Sequence, residues 1–423
     1  MRFIYSLAFL LLLPFIYLRL YWRSFKNPAY RQGFKERLAI FKKPERQGGL
    51  WIHAVSVGET IAAIPLIKSF QKAFPDLPIT MTSMTPTGKE RVQATFGNSV
   101  LSLFVPYDLP LFVRRFCRNI QPDLLVIMET ELWPNLLFVA KQQKIPILLA
   151  NARLSARSAK RYGYVRKFIK PMLQQIDKIA VQTEVEAQRF QQLGANPEMI
   201  FVTGSIKFDM PLPDDLIIKA EALRNSLGKE RFIWVAASTH PGEEEIVLQA
   251  HREILQTYPN TILILVPRHQ ERFASVFSLC QKMQFSVVKR TERSNMTENE
   301  NVFLGDTMGE LLLFYASADV AFVGGSLVPV GGHNLLEPAL LAKPIVTGWH
   351  MENFVAITDL LLSANGVVQI HKKEELAGNV MQFVNPEIAN QYGQHALSVV
   401  EKNKGALEKH LQLIRELLKK NSR

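Results

Sequence analysis

Short, continuous apolar runs separated by amphipathic stretches constrain this chain more than any other feature of its sequence. They fall at Leu50-Val55, Ile79-Ser83, Ser102-Val105, Leu124-Met128, Ile145-Ala150 and Lys178-Gln182, with amphipathic segments such as Ile61-Phe74 and Leu136-Gln143 between them. A strand apolar on both faces must be covered on both faces, which parallel sheets flanked by helices provide. A second set begins with Phe232-Ala237 and continues at Thr261-Val266, Ser286-Val288, Val320-Val323 and Pro344-Thr347. The intervening segment from Phe201 to about Lys229 contains Pro211-Leu-Pro213-Asp-Asp and reads as an interdomain connection. The pattern predicts an α/β chain of two Rossmann-like halves, with ligands at the carboxyl ends of the strands facing an interdomain cleft. At 423 residues, 48% apolar and 21% charged, the chain can bury two such cores. Residues 290–301 read as a polar loop.

The formal net charge of +12 favours anionic partners, whether nucleic acid, lipid headgroups or phosphorylated substrates. With only Cys117 and Cys280, and no Cys/His cluster at zinc spacing, neither a disulfide framework nor a structural zinc site is expected. Phe3 to Leu18 is almost wholly apolar, and Arg19, Arg23, Lys26, Arg31, Lys35 and Arg37 follow it. This predicts membrane attachment with the basic flank, and the rest of the chain, in the cytoplasm. The run is slightly short of the roughly 20 residues that span a bilayer and contains Pro14, so a spanning anchor and an interfacial helix both stand as readings. Further on, Arg153, Arg157, Lys160, Arg161, Arg166, Lys167 and Lys170 interleave with Leu154, Tyr162, Tyr164 and Phe168. That stretch is either a solvated helix face or a surface for headgroups and phosphorylated lipid; the anchor argues against nucleic acid.

Three segments of the first half place carboxylates or a lysine where strands should give way to turns. Glu59 follows Gly58 at the end of the run Trp51-Ile-His-Ala-Val-Ser-Val, and reads either as a first-turn acid complementing a helix dipole or as a general base. Glu129 and Glu131 follow Leu124-Met128; they either cap the helix beginning near Pro134, or Glu129 faces the site and orients a reacting sugar. Lys207, in Gly204-Ser-Ile-Lys-Phe-Asp209, is either a solvated charge or a partner for a leaving phosphate.

In the second half, Arg268 in Val266-Pro267-Arg268-His269 could bridge a phosphate, while His240 and His269 lack metal-ligand spacing to a partner. Gly305-Asp-Thr-Met308-Gly309-Glu310 and Gly331-Gly-His-Asn334-Leu-Leu-Glu337 carry glycines at expected helix starts, where exposed backbone N–H groups and the dipole bind anions. Glu337 could then take ribose hydroxyls. The run is neither GxGxxG nor a Walker loop, which disfavours a dinucleotide oxidoreductase or a P-loop ATPase.

At His53-Ala-Val-Ser-Val-Gly-Glu59, Met128-Glu-Thr-Glu-Leu-Trp-Pro-Asn135, Gly204-Ser-Ile-Lys-Phe-Asp209 and Gly331-Gly-His-Asn-Leu-Leu-Glu-Pro338, the sequence resembles the 3-deoxy-D-manno-octulosonic acid (Kdo) transferases of Gram-negative lipopolysaccharide synthesis. The resemblance runs over nearly the whole chain. It implies a GT-B fold and inverting, metal-independent transfer of Kdo from CMP-Kdo to the lipid A precursor lipid IVA, with no cofactor, at the cytoplasmic side of the bacterial inner membrane. It further implies Glu59 as proton acceptor, Glu129 and Lys207 as transition-state stabilisers, and CMP contacts from Pro267, Arg268, Met308, Gly309, Glu310, Asn334, Leu335, Leu336 and Glu337. The expected parts are an anchor over 1–22, a basic connector over 23–48, an acceptor domain over 49–205, a linker over 206–230 and a donor domain over 231–423. A nucleotide-sugar epimerase or another membrane-associated transferase, and a non-catalytic nucleotide-sugar-binding scaffold, are the competing readings.

Overall fold

Seven parallel strands build the first sheet: β1 (Leu50–His53), β2 (Ile79–Ser83), β3 (Leu101–Phe104), β4 (Leu124–Met128), β5 (Ile147–Ala152), β6 (Lys178–Val181) and β7 (Ile200–Val202), in the order β3-β2-β1-β4-β5-β6-β7. Side chains alternate across each strand, so one sheet feeds two cores. Leu50 and Ile52 of β1 join Val126 and Met128 of β4 on one face, while Trp51, Leu125 and Ile127 enter the other. The computed structural model describes residues 2–421 apart from 27, 32, 293–295 and 298. The expected polar loop over 290–301 therefore lies partly outside the described residues, as do the side chains of Lys26 and Arg31 in the basic flank.

The second sheet is also all parallel: β8 (Ile233–Thr239), β9 (Ile262–Pro267), β10 (Val287–Lys289), β11 (Val302–Leu304), β12 (Val320–Val323), β13 (Ile345–Thr347) and β14 (Val368–Gln369), ordered β10-β11-β9-β8-β12-β13-β14. The first sheet reverses its strand order between β1 and β4, and the second between β8 and β12, with β11 also inserted between β9 and β10. At such a reversal the loops leaving the two central strands diverge and open a crevice at their carboxyl ends.

Residues up to Met210 form one compact unit together with Lys404 onward, and Pro211–Asn403 form the other. Lys207 therefore belongs to the first unit, although the sequence suggests a linker from 206. The second unit also ends before 423, because the helix Ala406–Asn421 returns to the first sheet and inserts Ala406, Leu411, Ile414 and Leu417 among Leu50, Ile52 and Val126. Asp209 ties down the start of this helix by accepting from the backbone N–H groups of Gly405 (2.7 Å) and Leu407 (2.5 Å). His410 Nδ1 donates to the Ala406 carbonyl, and its Nε2 accepts from the Asn151 amide at 2.9 Å. The Asn151 side-chain oxygen in turn accepts from Ile206 N at 3.2 Å, beside Lys207.

Arg2–Lys26 is one helix that continues through Pro14, and Arg2–Phe25 is long and apolar enough to cross a membrane. Phe3, Leu7, Leu11, Phe15, Leu18, Trp22 and Phe25 form an exposed stripe at helical spacing. The other side meets the first unit: Ser6 and the Asn135 amide are hydrogen-bonded at 3.0 Å, and the Phe9 and Tyr17 rings lie 6.1 and 5.5 Å from that of Tyr107.

Asp209→Ala leaves two helix-start amides without their carboxylate. It should cost about 1–2 kcal/mol, read as a melting temperature lowered by about 2–8 °C.

Candidate active site

The residues at the first sheet's reversal point converge. Ser56 caps the helix Val57–Ala73, its hydroxyl accepting from Glu59 N at 3.1 Å, while the Glu59 carboxylate reaches back to Val55 N (2.8 Å) and Ser56 N (3.3 Å). This reciprocal capping box fixes a buried carboxylate at the mouth of β1. The first-turn reading of Glu59 is thus its structural role; a carboxylate has about four acceptor positions, so these two bonds leave others to receive a proton.

Glu129, directly after β4, adopts a left-handed backbone (φ 56°) that few non-glycine residues take. Its carboxyl is half-buried; burial pushes its pKa up, nearby Lys207 opposes this, and the Glu59 charge adds to the rise. Lys207 stands in the short turn Ile206–Phe208 after β7. Glu59, Glu129 and Lys207 thus lie within electrostatic reach of a shared centre. Neither Glu129 nor Glu131 caps the helix Pro134–Gln142. That task falls to Asp108, which the sequence reading missed: its carboxylate accepts from Asn135 N (3.1 Å) and Leu136 N (2.7 Å). Glu131 accepts from Trp133 Nε1 at 2.9 Å, and the Trp133 ring stands edge-on to the buried His53, 4.9 Å away.

In the second sheet β11, β9, β8 and β12 are neighbours and parallel, so their following loops share one edge. Pro267 closes β9 and Arg268 is exposed just beyond it; Arg268 acts electrostatically on both Glu337 and His333. Met308 is exposed and Gly309 has a φ of 88° with open space around it. Glu310 is held by Arg290 (3.0 Å) and by the Thr307 hydroxyl, and the guanidinium lowers its pKa. Asn334 accepts from Leu336 N and donates to Glu337, whose pKa burial raises. The glycine pair does not open a long helix: only Leu336–Leu340 is helical. Gly332, at φ 76°, lies where a Cβ would run into the Met351 sulfur.

Glu243 organises this edge and has no role in the sequence reading. Fully buried, it accepts from four backbone amides, those of His240 (2.9 Å), Gly325 (2.7 Å), Ser326 (3.0 Å) and Leu327 (2.9 Å), tying the loop after β8 to the loop after β12. His240 Nε2 and His333 Nε2 meet at 2.8 Å across the same two loops.

The chain matches a Haemophilus influenzae 3-deoxy-D-manno-octulosonic acid transferase at 43% identity over 425 residues, covering 99% of each protein. The chain belongs to the 3-deoxy-D-manno-octulosonic acid transferase family. Residues 32–210 of this transferase match the family described as 3-deoxy-D-manno-octulosonic-acid transferase (kdotransferase), and a Bordetella pertussis relative of the same name is 34% identical over 374 residues, 84% of each chain. Its fold is of GT-B type, two Rossmann-like units of seven parallel strands. A solved UDP-GlcNAc 2-epimerase from Neisseria meningitidis, bound to UDP-GlcNAc, shares that fold with a TM-score of 0.55 at 14% identity, covering 88% of this chain and 100% of the other.

Several buried histidines of the transferase are held neutral. Burial lowers the pKa of His53 and His251 to about 3 and of His333 and His410 to about 4. Below the ordinary histidine value of about 6.5 the unfolded chain takes up protons that the folded chain refuses. Stability should therefore fall as pH drops from about 6.5 toward 4, by about 1.4 kcal/mol per pH unit for each such histidine. Urea unfolding between pH 7.5 and 5 measures the slope, and His251→Asn should flatten it by one histidine's share.

Proposed function

We propose that this protein transfers Kdo from CMP-Kdo to lipid IVA, with inversion at the ketosidic carbon and without a metal, in lipopolysaccharide synthesis at the cytoplasmic face of the bacterial inner membrane. The observation that carries the reading is the convergence of Glu59, Glu129 and Lys207 at one reversal point, in a chain similar from end to end to a protein named a 3-deoxy-D-manno-octulosonic acid transferase. Glu59 takes the proton of the acceptor's primary hydroxyl as that oxygen bonds to the ketosidic carbon of Kdo. The bond from this carbon to the CMP phosphate breaks on the opposite side, and its electron pair leaves with the phosphate oxygen.

Lys207 supplies positive charge to the developing phosphate, and Arg268, Asn334 and Glu337, with Pro267, Leu335, Leu336 and the loop Met308 to Glu310, hold the CMP. Glu129 works beside a sugar that carries its own carboxylate. Burial raises the Glu129 pKa against the opposing charge of Lys207, and the residue acts on the sugar through orientation and hydrogen bonding rather than simple attraction. The exposed apolar stripe of the N-terminal helix supports anchoring in the membrane.

Glu59→Gln separates the residue's two tasks, because glutamine serves at this position of a capping box. The variant should keep its melting temperature and its CMP affinity while the rate falls by about 100-fold or more. Mass spectrometry of lipid IVA incubated with CMP-Kdo reads the product as whole Kdo additions; a fully active variant removes Glu59 from the chemistry. With protein donors stabilising the leaving CMP, excess EDTA should leave the initial rate within about twofold of that with added Mg²⁺, a difference under about 0.5 kcal/mol; a loss restored by Mg²⁺ would refute metal independence.

A further inference from the structure

A cavity of about 400 Å³ lies in the first unit, walled by the N-terminal helix on one side and by the loop after β3 on the other. Phe9, Leu20 and Trp133 supply apolar wall, and Arg19, Arg23 and Arg37 bring three cations to it. Arg37 is 3% exposed. Its terminal nitrogen donates to the Met84 carbonyl at 2.8 Å and its guanidinium stacks 4.4 Å from the Phe104 ring centre, but its Nε has no hydrogen-bond partner among the described residues. Tyr107, 4% exposed and also in the lining, has a hydroxyl equally without a partner. Buried donors left unpaired cost about 1–3 kcal/mol each, and two of them, one on Arg37 itself, together with the guanidinium groups of Arg19 and Arg23 form a surface that an anion satisfies. Asp108 is the one carboxylate among the described lining residues, against three guanidinium groups, and both its oxygens accept from the amides of Asn135 and Leu136.

We propose that this cavity binds a phosphate group of the acylated acceptor, with Arg37 Nε and the Tyr107 hydroxyl as buried donors, Arg19 and Arg23 as further cations, and the apolar wall of the N-terminal helix against the acyl portion. The assignment rests on the lipid-acceptor reading above and deepens it: the helix becomes part of the acceptor site as well as an anchor. The site adjoins the chemistry through Trp133, which forms part of its wall and donates to Glu131 beside Glu59 and Glu129. An anionic phospholipid of the bilayer carries related chemistry, and the experiment must tell the two apart.

The test measures equilibrium binding of lipid IVA, intact or enzymatically dephosphorylated, in neutral detergent micelles free of phospholipid. It compares the wild type with Tyr107→Phe and with the double variant Arg19→Gln/Arg23→Gln, whose exposed side chains are not needed for folding; melting temperatures accompany each protein. Tyr107→Phe should weaken binding of the phosphorylated acceptor about tenfold and the double variant by a similar factor, with the penalty shrinking below about twofold on the dephosphorylated acceptor. Equal affinities of wild type and variants for the phosphorylated acceptor would overturn the proposal. So would an equal penalty on both acceptors, or one that emerges only when anionic phospholipid vesicles replace the micelles. Because binding is read without turnover, a wild type that binds lipid IVA through this cavity yet transfers no Kdo would sink the proposed reaction and leave the site standing.

Discussion

Buried carboxylates that accept backbone amides hold the loops of both sheets. Glu59 takes two amides at the mouth of β1, Asp108 takes the first amides of the helix Pro134–Gln142, and Glu243 takes four from the loops that follow β8 and β12. Each partner solves the other's problem: an unpaired buried charge costs several kcal/mol, and turn amides without acceptors cost about 1–3 kcal/mol each. Once joined, neither side relaxes alone, so loop geometry becomes nearly all-or-none. Glu59 and Asp108 brace loops of the first unit and Glu243 braces loops of the second, and a transition state gains most from groups that need not move when charge develops.

How much of this could be read from the chain depends on how many residues share each signal. Strands such as β4 and β9 are five or six buried residues long and stood out as apolar runs. Three were missed, β7 (Ile200–Val202), β11 (Val302–Leu304) and β14 (Val368–Gln369), because a run of two or three residues does not distinguish a strand from a turn of helix or a loop. Their neighbours in the sheet decide them. The capping box was open to a closer reading, since Ser56 and Glu59 have its S-x-x-E spacing. Glu243 was not, because it is one of three consecutive glutamates, two of them buried, and only the fold gives Glu243 the loop amides and Glu244 the side chains of Thr239 and Arg272. Nor does the amphipathic pattern of the last helix say which sheet it covers; that is fixed by Asp209, His410 and the core around Leu50.

The donor-side loops also change the physical basis of anion binding. From sequence, the glycine pair at 331–332 promised a helix start whose dipole faces a phosphate. The structure has one short helical turn, Leu336–Leu340, beginning four residues after Gly332, too little for a macrodipole to dominate. The glycines serve close packing instead, with Gly332 against Met351. In the proposed donor site positive charge would then come from a side chain, and exposed Arg268, electrostatically coupled to Glu337 and His333, is the residue proposed to supply it.

Glu59 brings the structural and chemical demands onto one side chain. A general base gains from a fixed orientation, since a side chain free to rotate loses entropy whenever it reaches the hydroxyl. The capping box provides that fixation with bonds from Val55 N and Ser56 N, and the cap's own requirement is met by any acceptor at this position, glutamine included. Helix capping therefore explains where the side chain points but not why it is an acid. The acid sits instead beside Glu129 and Lys207, at the point where the strand order reverses. An ionised group in that setting adds repulsion toward Glu129 that a neutral amide would avoid. Complementing the helix dipole makes use of that charge, and the proposed proton transfer would give it a chemical use beside Glu129 and Lys207.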